Sequence, residues 1–202
     1  MPPLLPLFPL ELVLLPGTAL PLHIFEPRYK ELIGECLDKH RPFGIVRAQP
    51  KEIASIGCTA EVVEVVKRYD DGRLDILTEG RDRFEVVEVN RDRAFLQAEV
   101  LYLADEQDAP APDRIERMKE LHRQLVSLSG EPKDIPEPSP LGLSFRLAGS
   151  LPLDLDFKQA LLGLHSEDKR VEAMIQCYET LIPSLTRALL AQKRAGGNGH
   201  VH

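Results

Sequence analysis

Two short segments crowd acid, base and aromatic side chains together. The first is His23-Ile24-Phe25-Glu26-Pro27-Arg28-Tyr29. It falls where an extended apolar run gives way to helical periodicity, so Glu26 would sit at a helix N-terminus, where negative charge is favoured. Arg28 is placed to pair with it or with a neighbouring loop. The second is Glu79-Gly80-Arg81-Asp82-Arg83-Phe84. Gly80 permits a turn with positive φ, and Arg83 and Phe84 would open the next strand. Either Arg83 pairs with an acid such as Glu26 and braces the sheet, or it meets a ligand directly; bracing is favoured. Phe25, Glu26, Arg28, Tyr29, Arg81, Arg83 and Phe84 are therefore the candidate binding residues.

Other chemistry finds little support. There is no GxxxxGK[ST] and no GxGxxG after a strand, so no nucleotide site is expected. None of the serines lies in GxSxG; Ser150 and Lys158 are the one Ser–Lys combination to weigh, and Ser150 reads better as a helix end. No HExxH occurs, and His200 and His202 lie on a glycine-rich tail. His23, in an apolar strand, reads as a structural histidine. Cys36, Cys58 and Cys177 show no CxxC spacing, which argues against a disulfide framework or a zinc site. No catalytic residue, metal or cofactor is expected.

The elements that must position the clusters change period midway. Residues 4–15 are apolar and proline-punctuated, Pro16-Gly17 marks a turn, and Ala19 to Phe25 is extended. Tyr29, Leu32, Ile33, Cys36 and Leu37 form a helical stripe over 27–39. Strands are expected at 43–47, 57–69, 74–78, 84–89 and 94–103, with a hairpin at Asp70-Asp71-Gly72. Such spacing predicts a small barrel or rolled sheet. From Asp113 the period is 3.6. Helices are expected over 113–128, 141–148, 156–165 with Asp156 as N-cap, and from Ser166 onward with a kink at Pro183. The proline-rich stretch 129–140 reads as a loop. The expected division is a β-rich subdomain over 1–106, a helical bundle over 107–195 and a flexible tail over 196–202, an α+β protein.

Charge narrows the partners. The chain of 202 residues carries a net charge of −7. Residues 1–106 hold 13 Lys plus Arg against 19 Asp plus Glu, which argues against nucleic acid. Only a basic groove of Arg47, Arg68, Arg81 and Arg83 would restore that possibility. No apolar run is long enough to span a membrane, and the N-terminus lacks a basic leader, so a cytoplasmic location is expected.

Residues 5–29, LPLFPLELVLLPGTALPLHIFEPRY, resemble the opening of the Lon protease N-terminal (substrate-binding) domain. Phe43-Gly44-Ile45-Val46, Ile56-Gly57-Cys58-Thr59-Ala60, Gly72-Arg73, Gly80-Arg81-Asp82-Arg83-Phe84 and Lys158-Gln159-Ala160-Leu161-Leu162 follow in that family's order. Gly163 departs from its pattern, where Glu is common. The resemblance implies a PUA-like β-barrel followed by a C-terminal helical bundle. It also implies a stand-alone, non-catalytic module without the ATPase and peptidase of Lon proteases. Its partners would be unfolded or tagged polypeptides or a specific protein partner, as an adaptor or regulator in protein quality control, with homo-oligomer formation open. The alternative is a PUA-like small-ligand or RNA-binding module.

Overall fold

Alternation and helical periodicity locate most elements of the chain. The computed structural model describes residues 4–129 and 142–197. The described elements are β1 (Leu5–Leu10), β2 (Ala19–Ile24), α1 (Pro27–Asp38), β3 (Phe43–Arg47), β4 (Ile56–Arg68), β5 (Leu74–Asn90), β6 (Gln97–Tyr102), α2 (Pro112–Ser129), α3 (Leu143–Gly149), α4 (Leu155–Gly163) and α5 (Glu167–Gly197). The class is α+β. The proline-rich stretch read as a loop lies outside the described residues for all but Ser129, which ends α2. Of the expected tail, Gly196 and Gly197 belong to α5, and the rest, with His200 and His202, lies outside them.

The sheet order is β2-β5-β4-β3-β1-β6, and β5 also pairs with β6. That last pairing closes β5, β4, β3, β1 and β6 into a barrel, while β2 and the part of β4 beyond Ala60 keep an open edge. One strand makes closure possible by its length. β5 runs unbroken through Leu74–Asn90, where the sequence had suggested two strands and a turn at Gly80. Its first half pairs with β2 and β4, and its second with β4 and β6.

Gly80 is not among the glycines with positive φ. It is needed because the loop after β1 crosses β5 there. A Cβ on Gly80 would lie 2.4 Å from the Leu15 carbonyl oxygen. The crossing is fixed by Gly17 N–H donating to Gly80 O (2.8 Å) and Gly80 N–H donating to Thr18 O (3.0 Å). The PGT turn and the GRDRF segment thus hold one another.

Phe84 fills the barrel interior and is fully buried. Its ring lies over Gly44 and Gly57, at each of which a Cβ would come within 2.6 Å of Phe84 Cζ. An aromatic ring over strand glycines supplies the contacts their missing side chains cannot. Tyr29 on α1 is also buried, stacked on Phe8 with ring centroids 3.8 Å apart.

The chain divides into two compact units, Met1–Asp105 with Pro138–His165, and Glu106–Glu137 with Ser166–His202. The described helices α3 and α4, expected in a helical bundle, belong instead to the β-rich unit. Asp154 rather than Asp156 caps α4, accepting from Asp156 N–H (2.8 Å) and Phe157 N–H (3.1 Å). In the second unit α2 packs on α5 through Met118, Leu121 and Leu125 on one side and Val171, Met174 and Tyr178 on the other. Ser166 caps α5 as expected, its Oγ accepting from Lys169 N–H (3.1 Å). The helix continues through Pro183.

Candidate functional site

The two clusters singled out in the sequence lie apart. β2 pairs with β5 from Ala19↔Glu79 to Ile24↔Leu74. Phe25 to Tyr29 therefore start at the Leu74 end of the ladder, while Arg81 to Phe84 lie beyond its other end. Seven steps along β5 separate Leu74 from Arg81, roughly 23 Å at 3.3 Å per residue. They do not form one site.

The Arg81–Phe84 segment is structural. Arg81 donates to Glu61 Oε2 and Glu79 Oε1, each at 2.9 Å. Arg83 is 4% exposed and donates to the Leu162 and Leu164 carbonyls at 2.8 and 2.7 Å. It also pairs with the Asp105 carboxylate. The acid that braces Arg83 is thus Asp105, while Glu26 pairs with Arg28 at 2.8 Å. Arg83 ties the end of α4 to the strands. A cavity of about 240 Å³ beside it is lined by Arg81, Asp82, Asp105 and Phe145.

The β2–α1 junction presents a different surface. β2, the first half of β5 and the second half of β4 form a three-stranded arm. Paired residues share a face, so Pro21, Leu77 and Glu64 line one side with His23, Asp75 and Lys67. Leu22, Ile76 and Val65 line the other. On the first side His23 Nδ1 lies 2.5 Å from Asp75 Oδ1, and Tyr69 Oη donates to Asp75 Oδ2 at 2.7 Å. Those two bonds, the His23 one first, hold the Asp75 carboxyl below its usual range. Lys67 and Arg73 lie over the Tyr69 ring. This network fixes His23 as a structural histidine, as the sequence indicated.

Apolar side chains are exposed on the same arm. Phe25 is 58% exposed, because Glu26 ends the extended run as the α1 N-cap and Pro27 starts the helix. The β4–β5 register shifts between Val62 and Glu64 and between Val65 and Lys67. Each shift leaves one extra valine outside the pairing, as a bulge does. Those residues, Val63 and Val66, are 46% and 60% exposed. The sequence reading missed both; the signal was a run of β-branched residues on β4 too long to alternate cleanly.

The Ser–Lys combination weighed in the sequence makes local hydrogen bonds. Ser150 Oγ donates to Leu147 O and Lys158 Nζ to Leu151 O, each at 2.9 Å. Burial lowers the Lys158 pKa. Among the described residues no group of three His, Cys, Asp or Glu is placed to hold a metal ion. No described helix is long and apolar enough to cross a membrane.

A network on α1 sets a pH dependence. Glu35 binds Arg93, Lys39 (3.2 Å) and Arg41 (3.1 Å). The Arg93 bond, against an opposing cost of desolvation, lowers its pKa from 4.5 to about 2. A depressed carboxyl contributes stability above its unfolded pKa and loses it as pH falls through the folded one. Glu35→Gln is therefore expected to destabilise the protein at pH 7, with the gap from the parent closing between pH 4.5 and 2. Urea unfolding at several pH values measures it; a gap independent of pH would remove Glu35 ionisation from the account.

Comparison with known proteins gives this geometry a context. Residues 4–177 match the family described as the ATP-dependent protease La (LON) substrate-binding domain. The chain is 27% identical to a Lon protease of Amoebophilus asiaticus over 183 residues, 81% of this chain and 22% of that protein. It is 26% identical to protein cereblon of Gallus gallus over 135 residues, 64% of this chain and 30% of that one. It spans less than a third of the length of these curated relatives. Its fold is similar to the crystal structure of a Lon N-terminal domain protein from Xanthomonas campestris, with TM-score 0.69 and 28% identity over 86% of this chain and 98% of that one. The N-terminal domain of a Mycobacterium avium complex Lon protease shares the fold at TM-score 0.64 and 15% identity, covering 88% and 98% of the two chains. With 174 of its residues matched from end to end of the barrel and into α5, this chain belongs to the LON substrate-binding domain family.

Proposed function

We propose that the protein is a non-catalytic polypeptide-binding module that captures unfolded or tagged chains, as an adaptor or regulator of protein quality control in the cytoplasm. One observation carries this reading: Phe25 stands exposed against the ring of His23, which a polar network fixes, and Val63 and Val66 stand exposed on β4 of the same arm. Exposed apolar side chains on a rigid sheet are a capture surface for apolar segments of other chains. The neighbouring Lys67, Arg73 and Arg28 give the rim a mixed polarity that favours reversible binding. The family assignment supports the same reading.

The RNA-binding alternative is disfavoured by the arginines themselves. Arg47 pairs with Asp156, Arg81 with Glu61 and Glu79, and Arg83 with Asp105. The basic groove that reading needs is not assembled from them.

Phe25→Ser combined with Val66→Ser is the test. Fully burying one large apolar side chain is worth about 1.5–3 kcal/mol. The double variant is therefore expected to bind a permanently unfolded client at least about tenfold more weakly. Its own stability should stay within about 0.5 kcal/mol of the parent, because both sites are exposed. Fluorescence anisotropy with a labelled, reduced and alkylated client reads the first and urea unfolding the second. Unchanged client affinity in a folded variant would rule out this surface.

A further inference from the structure

The outer face of the hairpin formed by β5 and β6 is open to solvent. Cross-strand pairing puts Glu85 opposite Leu101 and Glu88 opposite Glu99. The alternate side chains turn inward, and Phe84 and Ala98 among them are fully buried. Leu101 is more than half exposed, and so is Val87. Val87 stands out because the register shifts between Val86 and Glu88, which leaves it outside the pairing, as a bulge does. The face thus sets two apolar side chains among three glutamates.

The charge of this face is not balanced. Glu88 and Glu99 are directly opposed on neighbouring strands, where Cβ atoms lie about 4.5–5.5 Å apart and like charges destabilise the sheet. Among the described residues none of Glu85, Glu88 and Glu99 has a cation within ion-pair distance, because the arginines of this unit are engaged elsewhere. Arg83 pairs with Asp105, Arg93 with Glu31 and Glu35, and Arg41 with Glu35. In the hairpin turn Arg91 is offset by Asp92. Nor are the three carboxylates arranged to hold a metal ion.

We propose that this face docks a basic, apolar segment of a polypeptide, with lysine or arginine side chains on Glu85, Glu88 and Glu99 and an apolar side chain on Leu101 and Val87. Charge complementarity selects the occupant. The opposed carboxylates weaken the free chain; a cation set between them removes the repulsion and adds charge-assisted hydrogen bonds. An apolar residue beside that cation covers Leu101, which a free metal ion does not, and a nucleic acid is repelled. An acidic segment gains the apolar contact but meets like charge. This inference rests on the polypeptide-binding reading and names a class of client for it. It uses a surface separate from Phe25, which follows β2 and the first half of β5.

The test uses a fluorescein-labelled dodecapeptide of Gly and Ser carrying Leu and Lys, one counterpart with Glu in place of Lys and another with Ser in place of Leu. The Lys–Leu peptide is expected to bind the intact chain at least about tenfold more tightly than either counterpart, through rejection of like charge in the first and loss of an apolar anchor in the second. Its affinity should fall as salt is raised. Glu88→Gln combined with Glu99→Gln should abolish the preference for Lys over Glu and leave the chain at least as stable in urea, because the opposed charges are gone. Glu52→Gln combined with Glu106→Gln changes the net charge equally at exposed positions elsewhere and should keep the preference. Leu101→Ser should weaken binding of the Lys–Leu peptide, and Phe25→Ser should leave it intact. Equal affinity for the Lys and Glu peptides, or a preference that survives the Glu88–Glu99 variant or is lost in the Glu52–Glu106 variant, overturns the inference. A Glu88–Glu99 variant less stable than the parent makes the pair structural and overturns it too. Self-association of the chain that this variant removes would give the face to a second copy instead. Failure of all three peptides while an unfolded client still binds overturns this face alone; failure of client and peptides together overturns the capture reading as well.

Discussion

Replacing Arg83 by methionine is expected to destabilise the β-rich unit by about 3–5 kcal/mol, the usual cost of removing one partner from a buried charged pair. Methionine keeps much of the volume but none of the donors. The Leu162 and Leu164 carbonyls lose their bonds to the guanidinium, and the Asp105 carboxylate loses its cation. Asp105→Asn should cost much less, because Asp105 is 40% exposed and the carbonyl bonds to Arg83 survive. Urea unfolding followed by circular dichroism compares the two variants. A loss under about 1 kcal/mol for Arg83→Met would place Arg83 among surface pairs and deny that it ties α4 to the strands.

Alanine at Gly80 and alanine at Gly34 should move stability in opposite directions. At Gly80 the new Cβ would lie 2.4 Å from the Leu15 carbonyl oxygen. That oxygen has no freedom to retreat, since Thr18 Oγ1 donates to it at 2.6 Å and Thr18 N–H at 3.2 Å. Relief requires breaking the crossing of the PGT turn over β5, so a loss of about 3 kcal/mol or more is expected. At Gly34, within α1, a Cβ meets nothing within 4 Å. There alanine should stabilise by about 0.5–1 kcal/mol, because glycine is the poorer helix former. Thermal unfolding of both variants measures the contrast. A tolerated Gly80→Ala would mean that the crossing is loose.

These two sites also show where sequence reading succeeds and stops. Local periodicity located α1, β2 and β3 almost to the residue, because each buries one face against the core and its pattern says which. Gly80 was read as a turn because a glycine followed by charged residues is ordinarily one. Its true role depends on a segment more than sixty positions earlier, which no local pattern encodes. The same limit explains Arg83, whose partners at Asp105, Leu162 and Leu164 are brought together by the fold alone. α3 and α4 have helical periodicity, but the period does not say which unit they join.

The candidate site was legible in part. Phe25 is exposed, whereas Tyr29 and Phe84 are core residues embedded in polar sequence. Composition cannot separate an aromatic residue aimed at solvent from one aimed inward when both flank a bend. The exposure of Val63 and Val66 arises from bulges, which depend on the register with β5.

Polypeptide capture is the central claim, and equilibrium binding of the purified chain to one client in two states tests it most directly. The client is a small disulfide-bonded protein, used native and then reduced and alkylated, so that sequence is constant and only folding differs. Affinity for the unfolded form at least about tenfold above that for the native form is the predicted result, the discrimination worth one buried apolar anchor. Equal binding to both forms, or binding to neither, would contradict capture and leave the shared fold without the proposed activity.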